Sequence, residues 1–181
     1  SLGVGMSYVG ATAHQAGFKL GETASAMGIL SNNGLEADKA GTGLRKVIQS
    51  LITPTANGQK ALAKVNLTTK DFLTKSGKLK SMSAIFGTLN KHMKGLSGHE
   101  KNDIFHALFG TTGQQAGAIL TENAKRLREL TKEVDNAGKR DYIGDLSKRN
   151  LNTPKAQLAI FKESLTNAGM DIAKNVLPTI T

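Results

Sequence analysis

Two histidines and an aspartate form the group of residues in this sequence that most resembles a metal site. His99, Asp103 and His106 are spaced by four and three residues, so they share one face if the segment is an α-helix. Two imidazoles and a carboxylate are common ligands of zinc and other transition metals. The alternative is the solvated face of a helix that buries Ile104 and Leu108. Because the pattern supplies no fourth ligand or neighbouring acid, we assign no metal ligand here.

Motifs for phosphate binding and nucleophilic catalysis are incomplete. Gly77-Lys78 lacks the preceding glycine of a P-loop and is followed by Leu79 where a magnesium-binding hydroxyl belongs. No G-x-S-x-G elbow presents a serine nucleophile. The absence of cysteine excludes disulfides, thiol nucleophiles and Cys-ligated zinc. We therefore predict a chain that is not an enzyme, with no catalytic, cofactor-binding or metal-binding residues and no cofactor.

The charge distribution favours a polyanionic or acidic partner. Lys and Arg number 24 against 14 Asp and Glu, a formal net charge of +10. Between Lys60 and Lys94 the only acid is Asp71, and there are eight lysines: 60, 64, 70, 75, 78, 80, 91 and 94. They could neutralise phosphates without reading bases, since only Phe72 and Phe86 offer aromatic rings there. The alternative is a solvated face that keeps the chain soluble.

Hydrophobic periodicity predicts an all-α fold of about seven or eight helices, because apolar residues recur every three or four positions and the 181 residues include three prolines. We predict helices over 2–16, 21–32, 36–52, 56–64, 81–96, 98–109, 112–138 and 154–177. A short irregular or hairpin-like segment lies near 66–80, and a polar interval covers 139–152. The glycine-rich helices 2–16 and 21–32 have low intrinsic propensity, so we expect them to depend on close packing against other helices.

Capping signals mark the second half of the chain. Ser97 to Glu100 and Thr112 to Gln115 both fit the capping box, and Gly110 should end the helix that begins near residue 98. No apolar stretch is long enough to span a membrane, and the first ten residues do not look like a signal peptide. The chain begins without Met within helical sequence, so we interpret it as a piece of a longer protein.

Several consecutive segments resemble the core region of phage tail tape measure proteins. The run LSNNGLEADKAGTGLRKVIQSLITPT, from Leu30 to Thr55, combines an Asn-Gly cap, an AGT-x-LR helix and a Thr-Pro stop. It is preceded by SYVGATAHQAGFKLGETASAMGIL and followed, in the family's order, by GQKALAKVNL, SGKLKSM, HALFGTTGQQAGAIL and a charged helix ending in NAG. The resemblance covers about residues 1–139, and PKAQLAIFKESL and VLPTIT are similar to the family's later part.

This resemblance implies a structural protein of a tailed phage or prophage that acts in tail assembly and tail length determination inside the tail tube. It implies tail tube and tail assembly chaperone proteins as partners, the virion tail as the location, and the host cytoplasm as the place of assembly. Self-association through the helices and nonspecific DNA contact are further candidate interactions. The implied division is a tape-measure-core-like region over 1–139 and a C-terminal linker and helix over 140–181, packed on the same domain. The alternative function is a nonspecific nucleic-acid-binding helical domain that uses segment 60–94.

Overall fold

Seven α-helices account for most of the chain in a computed structural model, which describes residues 2–146 and the side chains of residues 5–137. The helices are α1 (Leu2–Gln15), α2 (Leu20–Asn32), α3 (Ala37–Ile52), α4 (Ala56–Lys64), α5 (Met82–His92), α6 (Gly98–Glu122) and α7 (Ala124–Leu146). A 3-10 turn, Thr69–Phe72, lies between α4 and α5. The predicted all-α fold is confirmed, and the predicted helix 154–177 lies outside the described residues.

Helix α2 is the central element of the core. Every residue from Glu22 to Ser31 is buried, so this helix has no solvent-exposed face along most of its length. It packs against α7, α3, α6 and α1. Apart from Glu22, these buried residues are small or apolar, which allows neighbouring helices to approach on all sides. Complete enclosure explains how a helix with weak intrinsic propensity is stable here.

Glycines allow the close contact between α1 and α3. Gly5 on α1 and Gly41 on α3 face each other, and a Cβ added to Gly41 would overlap the carbonyl oxygen of Gly5. A Cβ on Gly5 would lie 2.6 Å from the carbonyl oxygen of Ala37. The two backbones are therefore in direct contact, as we expected from the low propensity of the glycine-rich helices.

The segment between α4 and α5 is a tight turn held by backbone hydrogen bonds. Leu73 and Leu79 form an isolated antiparallel bridge, and Thr74 N–H donates to the Lys78 carbonyl oxygen at 2.7 Å. Gly77 has a φ of +81°, a value that glycine adopts without strain. The hairpin-like prediction for 66–80 is confirmed in this form, with the 3-10 turn preceding the bridge.

The predicted break at Gly110 is present in the structure, but the predicted restart at Thr112 differs. Gly110 has φ 68° and ψ −176°, so the helix is interrupted there, but it resumes at once and continues to Glu122. Thr112 consequently lies within α6 and is not a helix N-cap. The capping box predicted at Thr112 is wrong because the positive φ of Gly110 turns the chain within a single residue, leaving no non-helical stretch to cap.

The predicted single helix 112–138 is also wrong. Helix α6 ends at Glu122, and the backbone N–H and the side-chain amide of Asn123 both donate to the Ile119 carbonyl oxygen, at 3.0 and 2.7 Å. Helix α7 then continues through Leu146, so residues 139–146 of the predicted polar interval are helical. Tyr142, Ile143 and Leu146 follow helical spacing there, a signal hidden among charged residues.

Candidate functional site

The two histidines and the aspartate on α6 do not converge on one point. His99 Nε2 lies 3.4 Å from Asp103 Oδ2, and both side chains are strongly exposed, at 86% and 70%. His106 instead pairs through Nδ1 with Gln114 Oε1 at 3.1 Å, across the kink at Gly110. Among the described residues, no group of three His, Cys, Asp or Glu side chains is arranged to hold a metal ion. The three residues therefore occupy a solvated helix face.

The confirmed capping box at Ser97 explains the neighbouring acid. Ser97 Oγ accepts from the Glu100 N–H at 3.1 Å, and Glu100 Oε1 accepts from the Ser97 N–H at 3.2 Å. The pKa of Glu100 lies below its ordinary value, first because of the bond from the Ser97 backbone and then because of the Ser97 hydroxyl. Glu100 thus begins a helix, and its carboxylate is engaged at the helix end.

A cleft of about 450 Å³ lies between α4 and the first half of α6. Its apolar lining includes Ala61, Val65 and Ile104. Lysines from α4 line it on one side and carboxylates from α6 on the other, namely Lys60, Lys64, Glu100 and Asp103. The ion pairs in the described part of the chain are His99–Asp103 and Arg126–Glu133. The lysines of this cleft are therefore not within ion-pair distance of its carboxylates.

The lysines of segment 60–94 form what we call the lysine surface, defined as Lys60, Lys64, Lys70, Lys75, Lys78, Lys80, Lys91 and Lys94. Seven of these side chains are exposed and Lys80 is half-buried. Their acidic neighbour in sequence, Asp71, is committed to a local contact, because its Oδ2 accepts from the Thr68 N–H at 2.8 Å. The two aromatic residues, Phe72 and Phe86, are almost fully buried, so they are not available to stack on bases.

A hydrogen bond joins the helix ends that carry the lysine surface. His92 Nδ1, at the end of α5, lies 2.8 Å from the Val65 carbonyl oxygen, just after α4. Lys64 precedes Val65 and Lys91 precedes His92, so the bond brings these two lysine-bearing helix ends together. The turn segment with Lys70 to Lys80 connects the same two helices. These lysines are close in sequence, and the His92–Val65 contact joins the two helix ends that flank the turn segment.

A buried carboxylate that sequence analysis missed joins α2 to α5. Glu22 is 7% exposed, and its Oε2 accepts from the Lys19 N–H at 2.9 Å. Its Oε1 accepts from the Met82 N–H at 2.7 Å, at the first turn of α5. One side chain therefore satisfies backbone donors at two helix starts. The three-residue spacing of Lys19 and Glu22 could have indicated the local contact at the start of α2, but nothing in the sequence indicates the contact with Met82.

The apolar stripe of 112–138 is used within the domain. Leu120, Leu127, Leu130 and Val134 are each at most 2% exposed, and α7 packs on α2 and α5. The large hydrophobic side chains that are exposed in the described part of the chain are Tyr8 and Ile52. This stripe is thus covered by the chain itself. Within residues 2–146 no helix is long and apolar enough to cross a bilayer.

Comparisons with known proteins identify relatives in phage tails. The family model described as phage-related minor tail protein matches residues 1–110. A tape measure protein of Pneumococcus phage Dp-1 is 25% identical over 177 residues, which cover 97% of this chain and 15% of that protein. The chain thus spans about 15% of the length of this relative. No solved structure matches.

The family match covers α1 to α5 and the first half of α6, which include the glycine contact, the central helix and the lysine surface. The chain belongs to the phage-related minor tail protein family.

Proposed function

We propose that this chain is a non-enzymatic module of a tape measure protein, which lies in the lumen of the tail tube and takes part in tail assembly and length determination. The observation that carries the proposal is the alignment with the Dp-1 tape measure protein, because it extends over 97% of this chain. The resemblance in the order of motifs from Ser7 to Gly138 supports the same assignment.

The packing of the helices supports a structural role. The described core is one continuous hydrophobic cluster that runs from Met6 on α1 to Val134 on α7. The helices contact one another chiefly through small and aliphatic side chains, as at Gly5 and Gly41. In this proposal the module acts by adding length to a larger chain.

The partners in this proposal are the tail tube protein, which would surround the module in the virion, and tail assembly chaperone proteins, which would hold it in the host cytoplasm before the tube forms. The unit that acts is residues 1–139. In this proposal residues 140–181 are a C-terminal linker and helix, of which residues 140–146 are the end of α7.

Protease protection in purified virions tests the proposed location. Intact virions are treated with trypsin, and peptides from residues 5–137 are quantified by mass spectrometry against an exposed tail fibre protein. The lumen location predicts that these peptides remain intact while the fibre is cleaved. They should become sensitive after the tails have ejected their DNA. Cleavage in intact virions at the rate of the fibre protein would contradict the lumen location.

A further inference from the structure

We propose that the lysine surface binds the phosphate backbone of double-stranded DNA without sequence preference. This contact goes beyond the structural role in the tail and does not depend on the location of the chain in the tube. It concerns the eight lysines on α4, on the turn segment and at the end of α5. The proposed structural role does not account for these lysines.

The charges of this surface are available to an external partner. None of its eight lysines takes part in an ion pair, since the described ion pairs involve only His99, Asp103, Arg126 and Glu133. Asp71 is held by the Thr68 N–H. Like charges repel one another, so a segment with eight lysines and one acid is less favourable without an anion nearby than with one. An anion that neutralises several lysines at once removes that cost and releases counterions.

The lysines lie on one continuous stretch of chain that runs from α4 through the turn segment to the end of α5. Lys60 and Lys64 are one turn apart on α4, and Lys91 and Lys94 lie at the end of α5, which the His92–Val65 contact joins to α4. Between them, the turn held by the Thr74–Lys78 bond carries the other four lysines. Glu100 and Asp103 lie across the cleft from Lys60 and Lys64, so the lysine surface ends at this cleft.

The side-chain chemistry favours DNA over a protein partner. Protein interfaces are enriched in aromatic residues and Arg and depleted of Lys. Segment 60–94 contains no Arg, and its two Phe side chains are in the core. Point charges without rings or forked donors contact phosphates and do not read base edges. The missing rings also disfavour single strands, which bind by stacking.

Fluorescence anisotropy with a labelled 20-base-pair duplex tests the proposal, using the full 181-residue chain at 50 to 200 mM salt. One variant removes the turn lysines, by Lys70→Gln, Lys75→Gln, Lys78→Gln and Lys80→Gln. A second removes the helix lysines, by Lys60→Gln, Lys64→Gln, Lys91→Gln and Lys94→Gln. A control removes the same charge from exposed positions elsewhere, by Lys39→Gln, Lys125→Gln, Arg128→Gln and Lys132→Gln. Circular dichroism checks that every variant is folded.

Each lysine that contacts a phosphate should contribute about 0.9 to the slope of log affinity against log salt. If four contacts are lost, the slope should fall by about 3.6, and affinity at 50 mM salt should fall by at least tenfold. The control should lose less than threefold. The proposal is overturned if wild-type protein does not bind at 50 mM salt, or if the control loses as much affinity as the other variants. Equal affinity for poly-glutamate of the same charge would also overturn it, in favour of an acidic protein partner.

Discussion

The contact between Gly5 and Gly41 leads to a quantitative prediction for Gly41→Ala. The new Cβ would overlap the Gly5 carbonyl oxygen and lie 2.9 Å from the Gly5 Cα and carbonyl carbon. Packed carbon atoms are normally about 3.5 to 4.0 Å apart, so α1 and α3 must separate by roughly 0.6 to 1.1 Å. All the obstructing atoms belong to the backbone, and no side-chain rotation can relieve the overlap.

The expected loss of stability follows from two opposing effects. Overpacking of this kind costs about 1 to 3 kcal/mol, and we expect the upper end because the obstruction is backbone. Replacing a helical glycine by alanine contributes about 1 kcal/mol in the other direction. The net prediction is a decrease of about 2 kcal/mol in the free energy of unfolding, which lowers Tm by about 4 to 8 °C in a chain of this length.

Thermal unfolding followed by circular dichroism at 222 nm measures this effect, and Gly87→Ala provides the matched control. Gly87 lies within α5, and a Cβ there would meet no atom within 4 Å. Gly87→Ala should therefore raise the free energy of unfolding by up to about 1 kcal/mol. If Gly41→Ala is as stable as wild type, or if both variants shift Tm upward together, the proposed backbone contact between α1 and α3 is wrong.

Three further predictions concern single side chains. Glu22→Ala should lower the free energy of unfolding by about 2 to 4 kcal/mol in urea denaturation, because the buried Met82 N–H loses its acceptor. The control Glu36→Ala, at an exposed position, should change it by less than about 0.5 kcal/mol, and equal effects of the two variants would contradict the role of Glu22. Thr121→Val should stabilise the protein by about 1 kcal/mol in the same assay, since Thr121 Oγ1 is buried without a hydrogen-bond partner. The control Thr131→Val should not stabilise it, because the Thr131 hydroxyl donates to the Leu127 carbonyl oxygen. A loss of stability in Thr121→Val would show that the Thr121 hydroxyl has a partner. The contribution of Glu100 to the start of α6 should be present above the ordinary pKa of a Glu and be lost as the pH falls through its lowered pKa. An NMR titration should show a Glu100 pKa below the ordinary value, and an ordinary value would contradict the capping box.

Local signals in the sequence account for most of the helices. The stripe of Leu44, Val47 and Ile48 predicted α3, and the Ser97 capping box predicted the start of α6. The requirement for close packing of the glycine-rich helices also followed from propensity, and the Gly5–Gly41 contact confirms it. In each case the determining interactions lie within a few residues along the chain.

The errors and omissions arise where distant or competing contacts decide the structure. Glu22 bonds to Met82, 60 residues away, and no periodicity reports such a pair. At Asn123 the apolar stripe continues, although α6 ends at Glu122 and α7 begins at Ala124. His106 pairs with Gln114 beyond the kink at Gly110, a contact that the spacing of 99, 103 and 106 does not reveal.

The length of the tail in phage particles is the most direct test of the proposed tape measure role. An in-frame duplication of residues 2–146 in the gene of the parent phage, with tails measured by negative-stain electron microscopy, adds one further copy of the described helices. The proposal predicts a uniform population of longer tails, with an increase of at most about 220 Å if every added residue extends the chain by about 1.5 Å. Assembled tails of unchanged length in virions that carry the duplicated chain would contradict it.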